Sequence, residues 1–315
     1  MKIKHTDVII PFFIPFEGCT YTCVYCDQRK ISNSNTPDIE RTLNDYFTRH
    51  PDTGNTIEAA FFGGTFTCLP IEQQERYLSQ VKPFVENGLI SGIRCSTRPD
   101  GFAQADFSFY KENGLTHFEL GVQSFDPRYL SFLGRNYTLE DIAQAIELIM
   151  QHDCTFGIQL MCAFPAQTGE DFMQDIQMLI RYQPVDCRLY PLAVIEGTAL
   201  ARHYHDEPFA VPPLETVVSW LAEAAFAIEM NDITILRMGL PHSVELAASV
   251  IGGTYHPSLA DLVRYEQIKR SLDDVGAVSH ITVHPKDEQY ARKILSERSI
   301  KIFVSETVQR GKLIY

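Results

Sequence analysis

The sequence predicts an α/β fold: a parallel sheet built from six strand–helix units, followed by a smaller C-terminal α/β appendage. Three observations carry this prediction. Apolar runs of strand length alternate with amphipathic helical stretches over the first two hundred or so of the 315 residues. The best-defined helical stretches open on capping signals. The rhythm then changes after about Gly197, where the turn-rich segment "HYHDEPFAVPP" (His203 to Pro213) reads as a connector. This divides the chain into a core over residues 1–205 and an appendage over residues 206–315.

The six strands are expected at Val8–Ile14, Ile57–Phe62, Gly92–Ser96, Thr116–Leu120, Thr155–Met161 and Val185–Leu192. "TLEDIAQAIELIM" begins with Thr138 as a cap and Asp141 three residues on, and places Ile142, Ala145, Ile146 and Ile149 on one face. "TGEDFMQDIQMLI" repeats the scheme with Thr168, Asp171, Phe172, Ile176, Leu179 and Ile180. Strand–helix units in series imply parallel pairing through right-handed crossovers. Periodicity does not say whether such a sheet closes into a barrel. Beyond the connector lie a helix from about Leu214 to Met230, the stretch "TILRMGL", a Gly-Gly loop, a helix near residues 258–274, strands at 280–284 and 300–304, and a helix near Lys286–Leu295. All of these are assigned to the appendage.

The formal net charge of −13 disfavours broad charge-driven binding to nucleic acid or an anionic membrane. From Lys286 onward seven Lys/Arg face four Asp/Glu, which reads as a solvated helix face. The longest apolar run, "VIIPFFIPF", is too short to span a bilayer and holds two prolines. Asp7 and the lack of a small-residue cleavage site argue against a signal peptide, so the expected compartment is the cytoplasm. Of eight cysteines, Cys68, Cys95, Cys154, Cys162 and Cys187 are scattered in mostly apolar surroundings and read as small buried hydrophobes.

Cys19, Cys23 and Cys26 are different, because "EGCTYTCVYCDQ" sets them at CxxxCxxC spacing directly after the first strand. Thiolates are soft ligands, so zinc and an iron–sulfur cluster are the candidates. A structural zinc site wants four protein ligands, and His5, His242 or His256 would have to supply the fourth from a distance. A cubane cluster held by three cysteines keeps one iron open for a substrate or cofactor. Placement in the first βα loop, at the carboxyl end of a strand, favours the cluster.

The triad does not stand alone. "IPFEGCTYTCVYCDQRKIS", "AFFGGTFT", "IRCSTRPDGF", "FELGVQSFD", "LGRNYT", "GIQLMCAFPAQT" and "RLYPLAVIEGTAL" fall in order over residues 8–200. Together they resemble the radical S-adenosylmethionine (SAM) superfamily, in particular the radical-SAM part of the elongator-complex catalytic subunit and its short bacterial relatives. They overlap as well with oxygen-independent coproporphyrinogen III oxidase. The resemblance implies a partial parallel (β/α)6 barrel, a [4Fe–4S] cluster on Cys19, Cys23 and Cys26, and SAM chelated to the open iron. It also implies an electron donor such as flavodoxin or ferredoxin.

Residue by residue, the resemblance implies backbone contacts from Gly63, Gly64 and Thr65 to the SAM amino group. Tyr25 would lie against the adenine and Ser96 would make a polar contact. Gln123 and Gln159 would reach the ribose, and Arg135 would hold the carboxylate. Thr65 stands where relatives often carry Glu. Gln28 stands where coproporphyrinogen oxidases usually carry a further cysteine, and the region after His205 shows no acyl-CoA phosphate loop. The specific reaction of neither relative therefore carries over. The expected activity is a radical-SAM enzyme that cleaves SAM to a 5′-deoxyadenosyl radical. Its substrate is tRNA by analogy, or else a small molecule or tetrapyrrole; a non-enzymatic metal-binding protein is the reading from another class. Finally, "GGTYHPSL" brackets Tyr255 and His256 with glycines and a proline, and both are candidates to cover the open mouth and act on the substrate.

Overall fold

The computed structural model describes residues 8–32, 37–51, 54–273, 279–296, 300–308 and 310–314. His5 lies outside them. Strands β1 (Val8–Phe13), β2 (Ile57–Phe62), β3 (Gly92–Thr97), β4 (Leu115–Gln123), β5 (Thr155–Cys162) and β6 (Asp186–Pro191) pair side by side in sequence order, all parallel. Each expected strand is present, and the sheet curls into a half-barrel with helices on its outer face. The helix at Leu139–Gln151 starts on a Thr138–Asp141 capping box and buries Ile142, Ala145, Ile146 and Ile149. The helix at Gly169–Tyr182 starts on the Thr168–Asp171 box and buries Phe172, Ile176 and Leu179, with Ile180 half-buried.

Two expectations need correction. "TILRMGL" does not belong to the appendage: β8 (Thr234–Met238) pairs parallel with β6 and makes a seventh strand of the main sheet. The main sheet therefore has seven strands rather than six and draws on residues beyond 205. The reason is a long β6-to-β8 crossover. Its helix, Leu214–Glu229, is preceded by an excursion through β7 (Ala193–Ile195) and a helix at Ala199–Asp206. That excursion hides the strand–helix rhythm. The helix at Ala199–Asp206 corrects the connector, because residues 203–206 are helical behind a Thr198 cap. β7 pairs antiparallel with β9 (Val250–Gly253) as a ribbon.

The C-terminal appendage is a small sheet of β10 (His280–Val283), β11 (Lys301–Val304) and β12 (Leu313–Ile314), in the order β11-β10-β12. It has its own core of Ile268, Leu272, Ile281, Val283, Ala291 and Leu295. Among the described residues no helix is long and apolar enough to cross a membrane. The scattered cysteines Cys95, Cys154, Cys162 and Cys187 are buried as expected, whereas Cys68 is only half-buried.

Alternation along the strands puts one residue in two on the concave face. There it builds an ionic floor instead of an apolar core. Arg94, 2% exposed, reaches Glu58 at 2.7 Å, Glu119 at 2.9 Å and Asp186 at 3.0 Å. Arg188 grips both oxygens of Glu119, at 2.7 and 3.0 Å. Burial alone would push the Glu119 carboxyl up, but Arg188 prevails and holds it below its ordinary range. Buried charges persist only when answered in this way.

Candidate functional site

Above this floor, at the carboxyl ends of the strands, lies a cavity of about 490 Å³. Its walls include Cys19, Cys23, Cys26, Tyr25, Gly63, Gly64, Thr65, Ser96, Gln123, Arg135 and Gln159. Eleven residues scattered over 140 positions of sequence thus meet in one place. Tyr255 and His256 do not line it. Tyr255 Oη meets His242 Nδ1 at 3.2 Å, and His256 Nδ1 accepts a bond from the Ser258 amide at 3.1 Å, at the entry to the next helix.

The cysteine loop owes its shape to backbone packing against the turn after β2. The amides of Ile14 and Phe16 donate to Phe62 and Gly63, and the Thr65 amide donates to the Glu17 carbonyl at 2.8 Å. This approach requires glycine on both sides. A Cβ at Gly64 would lie 2.3 Å from the Glu17 oxygen, and one at Gly18 would lie 2.2 Å from the Thr65 oxygen. The Glu17 carboxylate is fixed from below by the Tyr77 hydroxyl at 2.8 Å and by Gln73. Cys19 Sγ stands 3.4 Å from Thr65 Oγ1.

Other elements close the loop from the side. The Val24 amide donates to Leu133, and the Leu200 amide donates to Val24 at 2.7 Å. Arg98 stacks over the Tyr21 ring at 3.8 Å and bonds Thr20 at 3.0 Å, with Asp100 answering its charge. Burial pushes the Cys26 thiol up to about 12, and it raises Cys23 as well; the nearby Arg135 guanidinium opposes both shifts. Burial thus favours the neutral form of both thiols.

Gln123 ends β4 in a left-handed conformation, φ 69°, that turns the chain out of the sheet. The turn is held from both sides. Tyr137 donates to the carbonyls of Gly121 and Val122, while Asp175 accepts from the Ser124 hydroxyl at 2.7 Å and from the Phe125 amide at 2.6 Å. Gln159 Nε2 links Glu119 of the floor at 3.1 Å to Ser96 at 3.3 Å.

The sequence reading did not single out several cavity residues, notably Tyr21, Thr97, Met161, Arg188, Tyr190 and Arg237. Period-two alternation along β5 and β6 carried a signal for Met161, Arg188 and Tyr190. Nothing in the sequence flags Arg237, because the place of its strand in the sheet depends on pairing with β6. Among the described residues no three His, Cys, Asp or Glu side chains converge tightly enough for a single metal ion.

A family model described as the Radical SAM superfamily matches residues 13–179, and one described as the Radical_SAM C-terminal domain matches residues 184–269. The chain is 26% identical over 212 residues to the heme chaperone HemW of Synechocystis sp., covering 64% of this chain and 51% of that protein. It is 29% identical over 174 residues to the tRNA uridine(34) acetyltransferase of Methanocaldococcus jannaschii, covering 48% of this chain and 31% of that protein. The solved structure of the archaeal Methanocaldococcus infernus Elp3 with an N-terminal deletion shares the fold. Its TM-score is 0.66 at 20% identity, covering 85% of this chain and 64% of that one. The chain spans about half the length, or less, of these curated relatives.

Proposed function

Because this chain belongs to the radical SAM superfamily, whose members bind a [4Fe–4S] cluster and SAM, we propose that it is an enzyme that reductively cleaves SAM within the half-barrel cavity. The observation that carries the reading is the joint lining of one cavity by the three triad thiols, the Gly63–Thr65 turn and Arg135. When bound, the cluster supplies the electron that splits the SAM sulfonium into methionine and a 5′-deoxyadenosyl radical.

The residues present fit that pair of groups. Three thiols face one mouth without converging on a single ion, which suits one thiolate per iron better than a closed zinc site. Cys19, Cys23 and Cys26 would hold three irons. Gly63 and Gly64 line the cavity, and the missing side chain at Gly64 lets the cysteine loop pack directly on this turn. Arg135 keeps a buried Nε with no partner among the described residues, a donor suited to a carboxylate. Ser96, Gln123 and Gln159 present polar groups on the cavity wall and would serve the ribose hydroxyls. Phe13, Ile31, Phe62 and Met161 supply apolar walls that exclude water.

The enzyme needs a reductant and a substrate. A cytoplasmic flavodoxin or ferredoxin suits the first role. For the second, two supports compete: the likeness to a tRNA acetyltransferase favours tRNA, and the net charge of −13 together with an apolar-walled cavity favours a small organic molecule. We favour the small molecule. Filter binding to tRNA across a salt titration separates the two, because nucleic-acid binding must show a steep salt slope.

The test of the central reading is anaerobic reconstitution with iron and sulfide, then SAM and dithionite, with 5′-deoxyadenosine as the readout. The wild type should release it, and the Cys19→Ala, Cys23→Ala, Cys26→Ala triple variant should not. A reconstituted wild type that binds heme or zinc but leaves SAM intact would sink the enzyme reading in favour of a carrier.

A further inference from the structure

We infer that the β6–β8 end of the cavity is a substrate pocket for a small molecule with an apolar body and one anionic group, and that Arg237 binds that group. The inference rests on the radical-enzyme reading of the same cavity and goes on to name its substrate class.

The charge inventory of the cavity is one-sided. Among the described residues four arginines line it (Arg98, Arg135, Arg188 and Arg237) and no Asp or Glu does, in a chain whose net charge is −13. Two of the four are answered by carboxylates lying behind the wall: Asp100 pairs with Arg98 at 2.5 Å, and Glu119 pairs with Arg188 at 2.7 Å. Arg135 is tied to the Tyr25 hydroxyl at 2.5 Å and sits on the cysteine side. Arg237 is left. Among the described residues it has no ion pair and no hydrogen bond, and its side chain is exposed at the mouth.

Its direction is set by the sheet. Arg237 is the register partner of Arg188 across β6 and β8, so both side chains leave the same face, the concave one. Around it the wall is apolar, formed by Ala193 and Ile195 of β7 and by Leu236, Leu240 and Pro241 on and after β8. One unpaired guanidinium on an apolar wall is the arrangement that orients a ligand through a single polar anchor while its body fills the rest. A phosphodiester chain would call for a track of free cations, and among the described arginines lining the cavity only Arg237 has neither an ion pair nor a hydrogen bond. An arginine serves either anion, because its fork matches the two oxygens of a carboxylate or a phosphate.

The experiment uses the reconstituted holoprotein saturated with SAM, so that the Arg135 end is filled, and titrates three matched probes: 2-naphthoate, 2-naphthyl phosphate and neutral 2-naphthamide. The wild type should bind at least one anion about tenfold more tightly than the amide. Arg237→Gln should erase that preference, and Arg237→Lys should restore part of it. Which anion is preferred distinguishes a carboxylate from a phosphate substrate. Equal binding of anion and amide by the wild type, no binding of any probe, or an unchanged preference in Arg237→Gln would overturn the inference. Tight, salt-sensitive tRNA binding that blocks the probes would overturn it in favour of nucleic acid. Iron content and 5′-deoxyadenosine release are measured beforehand on the same preparations. Failure of the radical reading is therefore seen there, and the anion preference is still read on the cluster-free protein.

Discussion

Arg135 Nη2 donates a hydrogen bond to the Tyr25 hydroxyl at 2.5 Å, joining the cysteine loop to the segment after β4 across 110 positions of sequence. The same guanidinium lies 5.7 Å from the Tyr25 ring and 5.6 Å from the Tyr137 ring. Two aromatic faces and one hydroxyl fix it in place, and its buried Nε has no partner among the described residues. Arg135→Ala should therefore weaken SAM binding by about 1.5–3 kcal/mol, the worth of a charge-assisted hydrogen bond, and leave iron content intact. Arg135→Lys should recover part of the loss, because the fork is gone but the charge stays. Equal SAM affinity in all three proteins, measured by equilibrium dialysis, would remove Arg135 from the site.

Cys19→Ala, Cys23→Ala and Cys26→Ala should each abolish cluster retention, because two thiolates anchor four irons too weakly. Cys68 makes the sharper control. It is half-buried and close enough to Cys19 to interact with it electrostatically, yet it is absent from the cavity wall. Cys68→Ala should retain full iron and sulfide content. Loss of iron in that variant would make Cys68 a ligand and the triad incomplete.

Gly63 and Gly64 should respond differently to alanine. At Gly63 the cost is conformational, φ 89° with an added Cβ meeting only ordinary contacts at 3.4 Å and beyond, about 1–2 kcal/mol. At Gly64 the new methyl would meet the Glu17 and Ile14 carbonyl oxygens at 2.3 and 2.8 Å. Those are backbone atoms, so the cysteine loop itself must move. Gly64→Ala should lose cluster on gel filtration under conditions where Gly63→Ala keeps it. The reverse order would show that the contact between the two loops does not position the thiols.

Burial pushes the Asp175 carboxyl up to about 7, against the pull of its bonds from Ser124 and Phe125. The sign follows from linkage. Between about pH 4 and pH 7 the folded chain holds a proton that the unfolded chain has released, so this group's contribution to stability falls as pH rises through that window and is flat above it. Asp175→Asn removes the titration and can still accept from the Phe125 amide. Urea midpoints should favour the variant progressively from pH 5 to pH 8, relative to wild type. A constant difference across that range would show that Asp175 does not titrate there.

Tyr255 and His256 stand off the cavity wall, beside His242 and the helix entry that follows. A covering role for them remains our proposal, exerted through His242 and its cavity-lining neighbour Pro241. Tyr255→Phe breaks only the bond to His242, and His256→Ala removes the turn acceptor. The ratio of 5′-deoxyadenosine to product should rise in both variants when turnover of the substrate is assayed. An unchanged ratio, with only thermal stability reduced, assigns both residues to the fold.

How far the sequence reached depended on how local each signal was. The Cys19–Cys26 spacing, the Gly63–Gly64 pair and the Thr138 and Thr168 capping boxes are each contained in a few consecutive residues, and each sits in the structure where its local chemistry demands. The strands of the first six units were legible for the same reason, since apolar content and length are local properties. β8 was not, because its identity as a seventh strand depends on pairing with β6 across a long excursion, and "TILRMGL" itself carries no sign of that partner.

The ionic floor shows the same division. Arg94, Glu119 and Asp186 are ordinary charged residues in three separate strands, and only the register between those strands brings them within 3.0 Å. The sequence by itself determined the secondary elements, the thiol triad and the glycine turn, because short-range sterics and hydrogen bonds specify them. Tertiary structure alone decided which polar side chains meet, that Tyr25 holds Arg135, that Tyr255 and His256 stand off the cavity wall, and that Arg237 faces the cavity without a partner among the described residues. Those outcomes depend on strand order and curl, which long-range burial selects and no single stretch of the chain encodes.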